Sequence, residues 1–243
     1  MKYVAPTLKV GTMHRIKITA VFSLVFLTVV WGLGGVVWPQ PGNSGQVIVI
    51  DAAHGGTDNG VKIGDKLYEK DCNLRLALAL QNELVQAGYR KVVLTRSTDR
   101  DVPFKERREL IRKANPGLVI SLHANAGFGS KARGYELYFP GFKTGKESKN
   151  DPAAIISDMT KNKHLNDSVR VAQHIQKHLA EVFPKENRGL REAPLPLLEG
   201  INVPAVIIEI GFLTNKENRQ QISEEKSQAG IARAIARGVR EGM

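Results

Sequence analysis

Four side chains far apart in this 243-residue chain could share one piece of chemistry: His54, Glu69, His123 and Glu209. Glu209 closes the apolar run Val203-Pro-Ala-Val-Ile-Ile-Glu209, where an ordinary strand would place another apolar residue. A carboxylate buried there should meet a cation, a metal, or a proton it exchanges during catalysis. His54 stands in a glycine-containing loop, Glu69 ahead of a helix and His123 at a strand end. Each alone is more often structural than a ligand. Together, two imidazoles and one carboxylate are the donors of a catalytic zinc with a fourth position open to water, whereas closed structural sites are usually cysteine-rich. The single cysteine, Cys72, rules out the closed kind and reads as a small buried residue. One zinc ion per chain, held by His54, Glu69 and His123, would acidify its water to a pKa of about 7 and polarise a carbonyl. A nearby carboxylate must then take the water's proton and pass it to the leaving group, and Glu209 is the candidate. His174 and His178 lie four apart on a late helix, a spacing that can bind metal, but Lys177 stands between them and the expected acid is missing. They read as a solvent-exposed pair.

The elements that must position these groups alternate. Gln46–Asp51 is a buried-type strand, Asp71–Ala87 a helix closed by Gly88, and Lys91–Thr95 the next strand. Phe104–Ala114 is a charged helix with Leu110 and Ile111 inward, ended by Pro116 ahead of a strand at Leu118–Leu122. A strand at Arg133–Phe139, a polar loop at Gly141–Asp151, a helix at Asn166–Phe183 and a last helix at Lys226–Glu241 complete the pattern. Such alternation predicts a single α/β domain with a mostly parallel twisted sheet flanked by helices on both faces. Ligands then gather at the carboxyl ends of the strands, where Asp51, His123 and Glu209 fall.

Ahead of this domain, Ile18 to Trp38 holds no charge in 21 residues, long enough for one N-terminal transmembrane helix. Lys2, Lys9, Arg15 and Lys17 precede it and no acid does, which places residues 1–17 in the cytoplasm and the rest outside. Residues 18–38 read as an uncleaved signal anchor, the chain being secreted instead if the segment is cut. Residues 39–45 read as a linker and 46–243 as the catalytic domain. Setting the four leading basic residues aside, the net charge of +11 becomes +7. Outside the membrane that excess suits anionic envelope polymers or lipid surfaces and not nucleic acid.

Ile50-Asp-Ala-Ala-His-Gly-Gly-Thr-Asp-Asn-Gly60, Glu69-Lys-Asp-Cys-Asn-Leu74, Ser121-Leu-His-Ala-Asn-Ala126 and Glu209-Ile-Gly-Phe-Leu-Thr-Asn215 occur in that order. They resemble the four signature blocks of the zinc-dependent N-acetylmuramoyl-L-alanine amidases of bacterial cell walls, and the likeness runs from Gln46 to the C-terminus. It implies zinc on His54, Glu69 and His123, catalysis by Glu209, and cleavage of the amide joining N-acetylmuramic acid to L-alanine of the peptidoglycan stem peptide. Ala154 to Thr160, followed by Leu165 to Ser168, resembles the subgroup active in cell division, some of whose members cover the metal with an inserted helix. Only Gly141 to Pro152 occupies that place, so no resident plug is expected, and a protein activator is a further candidate partner. The first block departs from the family's Asp-Pro-Gly-His in carrying Ala52 and Ala53, and a turn with positive φ at position 53 would strain Ala53. Three other readings stay open: a zinc peptidase on stem peptides, a wall-binding protein without catalysis, and a glycosidase using Asp51 and Glu209.

Overall fold

The computed structural model describes Met1 and residues 45–141 and 152–243. The expected cytoplasmic tail, anchor and almost all of the linker and polar loop lie outside them. Among the described residues no helix is long and apolar enough to cross a membrane.

The first strand, β1 (Val47–Ala52), is a continuous apolar run ending in Asp51 and Ala52. A two-residue hairpin, β2 (Lys62–Ile63) and β3 (Leu67–Tyr68), leads into α1 (Glu69–Gln86). That helix starts two residues earlier than the periodicity predicts, so Glu69 sits in its first turn, where the helix dipole favours an anion. Next comes β4 (Lys91–Leu94), then α2 (Phe104–Ala114), which keeps its expected bounds because Pro103 precedes it in extended backbone and Asn115 ends it in the left-handed region. Two strands follow, β5 (Leu118–Asn125) and β6 (Tyr135–Pro140). The long helix α3 (Pro152–Val182) begins fourteen residues before its expected start. Its first turns lack an inward stripe and leave Ile155, Ile156 and Met159 exposed, which is why periodicity misses them.

The chain then adds β7 (Asn187–Ala193), a charged strand without alternation, and β8 (Ala205–Phe212), the run that carries Glu209. It ends with α4 (Lys216–Ser223), capped by the Asn215 side chain, and α5 (Glu225–Gly242).

The six main strands order as β4-β1-β5-β8-β6-β7. All pairs are parallel except β6 against β8, so the sheet is mostly parallel, as expected. Helices cover both faces, but unequally. Ile48, Ile50, Leu118, Ile120, Val206 and Ile208 face α1, α3 and α5 in one large core. Each such side chain, fully buried, stabilises the domain by about 1.5–3 kcal/mol. Val49, Val119 and Ala205 point the other way, into a smaller core with Ile111 of α2 and Leu197 and Leu198 of a short 3-10 turn. Further along the same strands and on this thinner face stand Asp51, Ser121, His123, Ile207 and Glu209, by the two-residue repeat of a strand.

His178 departs from expectation. Its side chain is 2 % exposed and packs between α3 and α5, with Nε2 2.9 Å from Glu241 and Nδ1 3.2 Å from Glu181. His174 Nδ1 lies 3.4 Å from the same Glu241. The pair is therefore a helix-helix contact and not a solvent-exposed face. Sequence spacing missed this because α5, which supplies Glu241, is distant in the chain.

Candidate metal centre and active site

His54, Glu69 and His123 come together although β1, α1 and β5 deliver them separately: their ligand atoms all lie within 4.8 Å of one another. Glu69 Oε1 is 3.2 Å from His54 Nε2 and 3.4 Å from His123 Nδ1. A tetrahedral zinc with bonds of about 2.0–2.1 Å requires donors ~3.3 Å apart. The two separations from Glu69 match that spacing, and all three donors stay within 4.8 Å of one another.

The surroundings hold each donor. His54 Nδ1, the ring nitrogen turned away from the group, is 2.8 Å from Asp58 Oδ2, the outer carboxylate that commonly orients a ligating histidine. Asp58 Oδ1 in turn accepts from Gly60 N. Glu69 Oε1 accepts from Ala124 N at 3.1 Å and Asn73 Nδ2 at 3.2 Å, and Oε2 accepts from Val61 N at 2.9 Å. The rings of His54 and His123 meet edge to face, 84° apart.

Electrostatically the group is built for a cation. Burial alone would raise the pKa of Glu69, but hydrogen bonds from His123 and His54 outweigh it and hold the carboxyl far below its usual range. The same carboxylate pushes His54 up to about 9. Burial would lower His123, yet Glu69 and the charge of Glu209 raise it. Without a metal, protons collect on the imidazoles; a cation bound there must displace them.

His54 is presented on a turn whose φ at His54 itself is 63°, while Ala53 keeps negative φ. The missing glycine at position 53 therefore strains nothing. Two buried guanidinium groups lock this turn. Arg96 donates to Ala52 O, Ala53 O and Lys70 O. Arg107 donates to Ala52 O and His54 O, and pairs with Asp51 at 2.6 Å. Asp51 also accepts from Thr95 and Ser121, so its oxygens are committed to the scaffold. The paired-carboxylate glycosidase reading loses its second acid.

Glu209 lies beside His123 as its register partner across β5 and β8. The pairing slips by one residue immediately after, with Gly211 at φ 147°. The slip is a bulge of the kind that re-aims side chains at sheet edges. Glu209 Oε2 is buried without a hydrogen-bond partner. Burial, more than the Glu69 and Glu136 charges, pushes its pKa up to about 7 against the lowering effect of His123. The carboxylate stands with His54 and His123 in a cleft of about 560 Å³, walled on one side by Val102, Pro103 and Phe104 and on the other by Leu195 and Leu197.

The sequence blocks also contain residues that only hold the scaffold. Asn215 caps α4 and anchors Ser130 O. Thr214 Oγ1 accepts from Gly127 N. Asp58, Arg96, Arg107 and Asn73 escaped sequence reasoning as site residues. Asp58 and Asn73 alone left a signal, each lying four residues after a candidate donor in the same block, His54 and Glu69 respectively.

Gly60 sits against the donors with φ 61°, and a Cβ there would fall 2.5 Å from Glu69 Oε2 and 2.7 Å from His54 Cδ2. Gly60→Ala is therefore expected to displace both donors and weaken zinc binding by about 10–100-fold, the range for a disturbed outer partner. Competition with a chromogenic chelator measures it; unchanged affinity would contradict this geometry.

Three clustered donors that could hold a metal ion, beside a buried acid whose pKa is raised to about 7, at the carboxyl edge of a mostly parallel sheet, are equipment that suits a metal-assisted hydrolase. Residues 48–241 match the family described as N-acetylmuramoyl-L-alanine amidase, and the chain belongs to that family. It is 30 % identical over 195 residues to the uncharacterized protein YqiI of Bacillus subtilis, covering 80 % of this chain and 84 % of that one. It is 24 % identical to the N-acetylmuramoyl-L-alanine amidase AmiC of Escherichia coli, covering 83 % of this chain but spanning only 55 % of that relative. Among solved structures, the CwlD amidase of Clostridioides difficile, in complex with the GerS lipoprotein, superposes with a TM-score of 0.67 at 29 % identity, covering 81 % of this chain and 98 % of that one.

Proposed function

We propose that the chain hydrolyses the amide between N-acetylmuramic acid and L-alanine of the stem peptide in peptidoglycan, with zinc held by His54, Glu69 and His123 and with Glu209 as base. The process served is cell-wall remodelling or daughter-cell separation. The observation that carries the reading is the buried, unpartnered Glu209 Oε2 in the strand register of His123. Zinc bound at the three donors would supply a water acidified towards neutrality and polarisation of the scissile carbonyl.

The chain's own groups do the rest. Glu209, whose pKa burial raises above the ordinary carboxylate range, takes a proton from the water and returns it to the leaving nitrogen. The apolar walls of the cleft exclude water around that transfer. Glu69, fixed by three N–H donors, keeps its charge on the donor side and leaves Glu209 as the acid that titrates.

The apolar stretch 18–38, with its basic flank, supports a membrane anchor that leaves the catalytic domain in the cell envelope outside the cytoplasmic membrane, or secreted if cleaved. Peptidoglycan and the cytoplasmic membrane are then the partners. A protein activator is a further one, and the relative solved with a lipoprotein supports it. A segment as short as Gly141 to Pro152 favours a metal cleft without a resident plug.

The test is metal analysis of the full-length chain together with mass spectrometry of fragments released from sacculi. One zinc per chain, and intact stem peptides separated from glycan, are expected. Peptide fragments cut within the stem would favour the peptidase instead. His54→Ala is expected to lose most of the metal, and a chelator to stop the wild type; full zinc in His54→Ala would remove this donor from the set.

A further inference from the structure

The row of side chains through His123 and Glu209 continues across the sheet. Glu136 of β6 is the register partner of Glu209. Like charges directly opposite on neighbouring strands repel, so Glu136 needs compensation. It is 5 % exposed and receives two guanidinium groups from β7, Arg188 Nε at 2.5 Å and Arg191 NH1 at 3.0 Å. Tyr138 donates its hydroxyl to the other oxygen. One carboxylate thus faces two cations, and the cluster keeps an excess positive charge.

That excess is presented to solvent. The Arg188 and Arg191 side chains remain 40 % and 50 % exposed. Both are braced: Arg188 lies over the Phe212 ring, 4.9 Å from its centroid, and Arg191 NH2 donates to Arg188 O. A guanidinium carries five N–H donors, more than these partners occupy. Arg191 is the register partner of Tyr138, and Tyr138 and Ala193 line the same cleft as Glu209.

We propose that Arg191, with Arg188 behind it, forms a subsite for a free carboxylate on the peptide side of the scissile amide. This rests on the amidase reading above. Once the lactyl acid is tied up in the amide, the muramyl sugar presents no anion, so a cation cluster beside the cleft, next to its lining residues Tyr138 and Ala193, is placed to read the peptide. The nearest candidate is the α-carboxylate of a γ-linked glutamyl residue that follows L-alanine. Two residues of extended chain reach about 7 Å. Strands ~4.8 Å apart put β6 one step and β7 two steps from Glu209, so an arginine of β7 leaning over Glu136 stands at that reach. A planar guanidinium suits a carboxylate through paired N–H groups, which a lysine does not reproduce.

The test uses the full-length, zinc-loaded chain and two synthetic substrates, N-acetylmuramoyl-L-alanyl-D-glutamyl γ-methylamide with its α-carboxyl free or converted to the carboxamide. The wild type is expected to prefer the acid about tenfold in kcat/KM, mainly through KM, as a charged hydrogen-bond pair implies. Arg191→Gln should bring the ratio close to one, and Arg191→Lys should leave it in between. A ratio unchanged in Arg191→Gln, or absent from the wild type, overturns the subsite. Calorimetric titration of L-alanyl-D-glutamyl γ-methylamide into the metal-free chain separates the two readings. Binding that needs the α-carboxyl and Arg191, in a protein that hydrolyses neither substrate, keeps the subsite and removes the amidase; hydrolysis without preference does the reverse.

Discussion

Glu209→Ala is expected to lower kcat by two to four orders of magnitude, the usual contribution of a positioned acid-base group, while the zinc content stays that of wild type. The metal donors do not include Glu209, and its neighbours on β8, Ile208 and Ile210, are fixed in the core by their own burial. Removing a carboxylate whose Oε2 has no partner breaks no hydrogen bond of that atom. Loss of rate with metal and fold intact would therefore report proton transfer alone. The pH profile carries the sign. As a base Glu209 must be ionised, so kcat/KM should fall as pH drops through its pKa, which burial raises to about 7 in the metal-free chain. A bound cation pulls this limb towards the ordinary carboxylate value of about 4.3. Metal analysis and steady-state rates from pH 4 to 9 decide it, and a Glu209→Ala chain as fast as wild type would end the assignment.

Arg107→Ala should be the most destabilising of the single changes considered. Its guanidinium, 5 % exposed, neutralises Asp51, 4 % exposed, and ties down Val102 O, Ala52 O and His54 O. Truncation leaves Asp51 as a buried charge without its cation, which typically costs about 3–5 kcal/mol, or ~6–20 °C in Tm for a domain of this size. It also releases the turn that holds His54 at φ 63°, so zinc affinity should fall along with stability. Thermal melts with and without zinc measure both effects. A Tm within two degrees of wild type, as an estimate from the same scaling, would show that Asp51 needs no counter-charge.

The class of fold and the three residues that gather as candidate donors were legible in the sequence because they rest on local signals. Apolar runs closed by turn residues marked β1, β5 and β8, and Pro116 marked the end of α2. Four short blocks in a fixed order pointed to His54, Glu69, His123 and Glu209 before any distance was known. β7 was not legible, because a strand reading Asn-Arg-Gly-Leu-Arg-Glu-Ala has no alternation and is held by pairing with β6. The early start of α3 was hidden for the opposite reason: its first turns face solvent and need no stripe.

By itself the sequence determined which side chains were available and which end of the sheet they would occupy, since side-chain type and a period of two or 3.6 are properties of neighbours in the chain. Only the tertiary structure decided what those groups do to one another. Asp51 became a partner of Arg107, and Glu136 was set opposite Glu209 under two arginines. His178 was turned inward against Glu241. The physical reason is that a charge's role depends on burial and on what lies within about 4 Å of it. In this chain those neighbours come from residues 52 to 73 positions away and from strands that lie side by side only after folding.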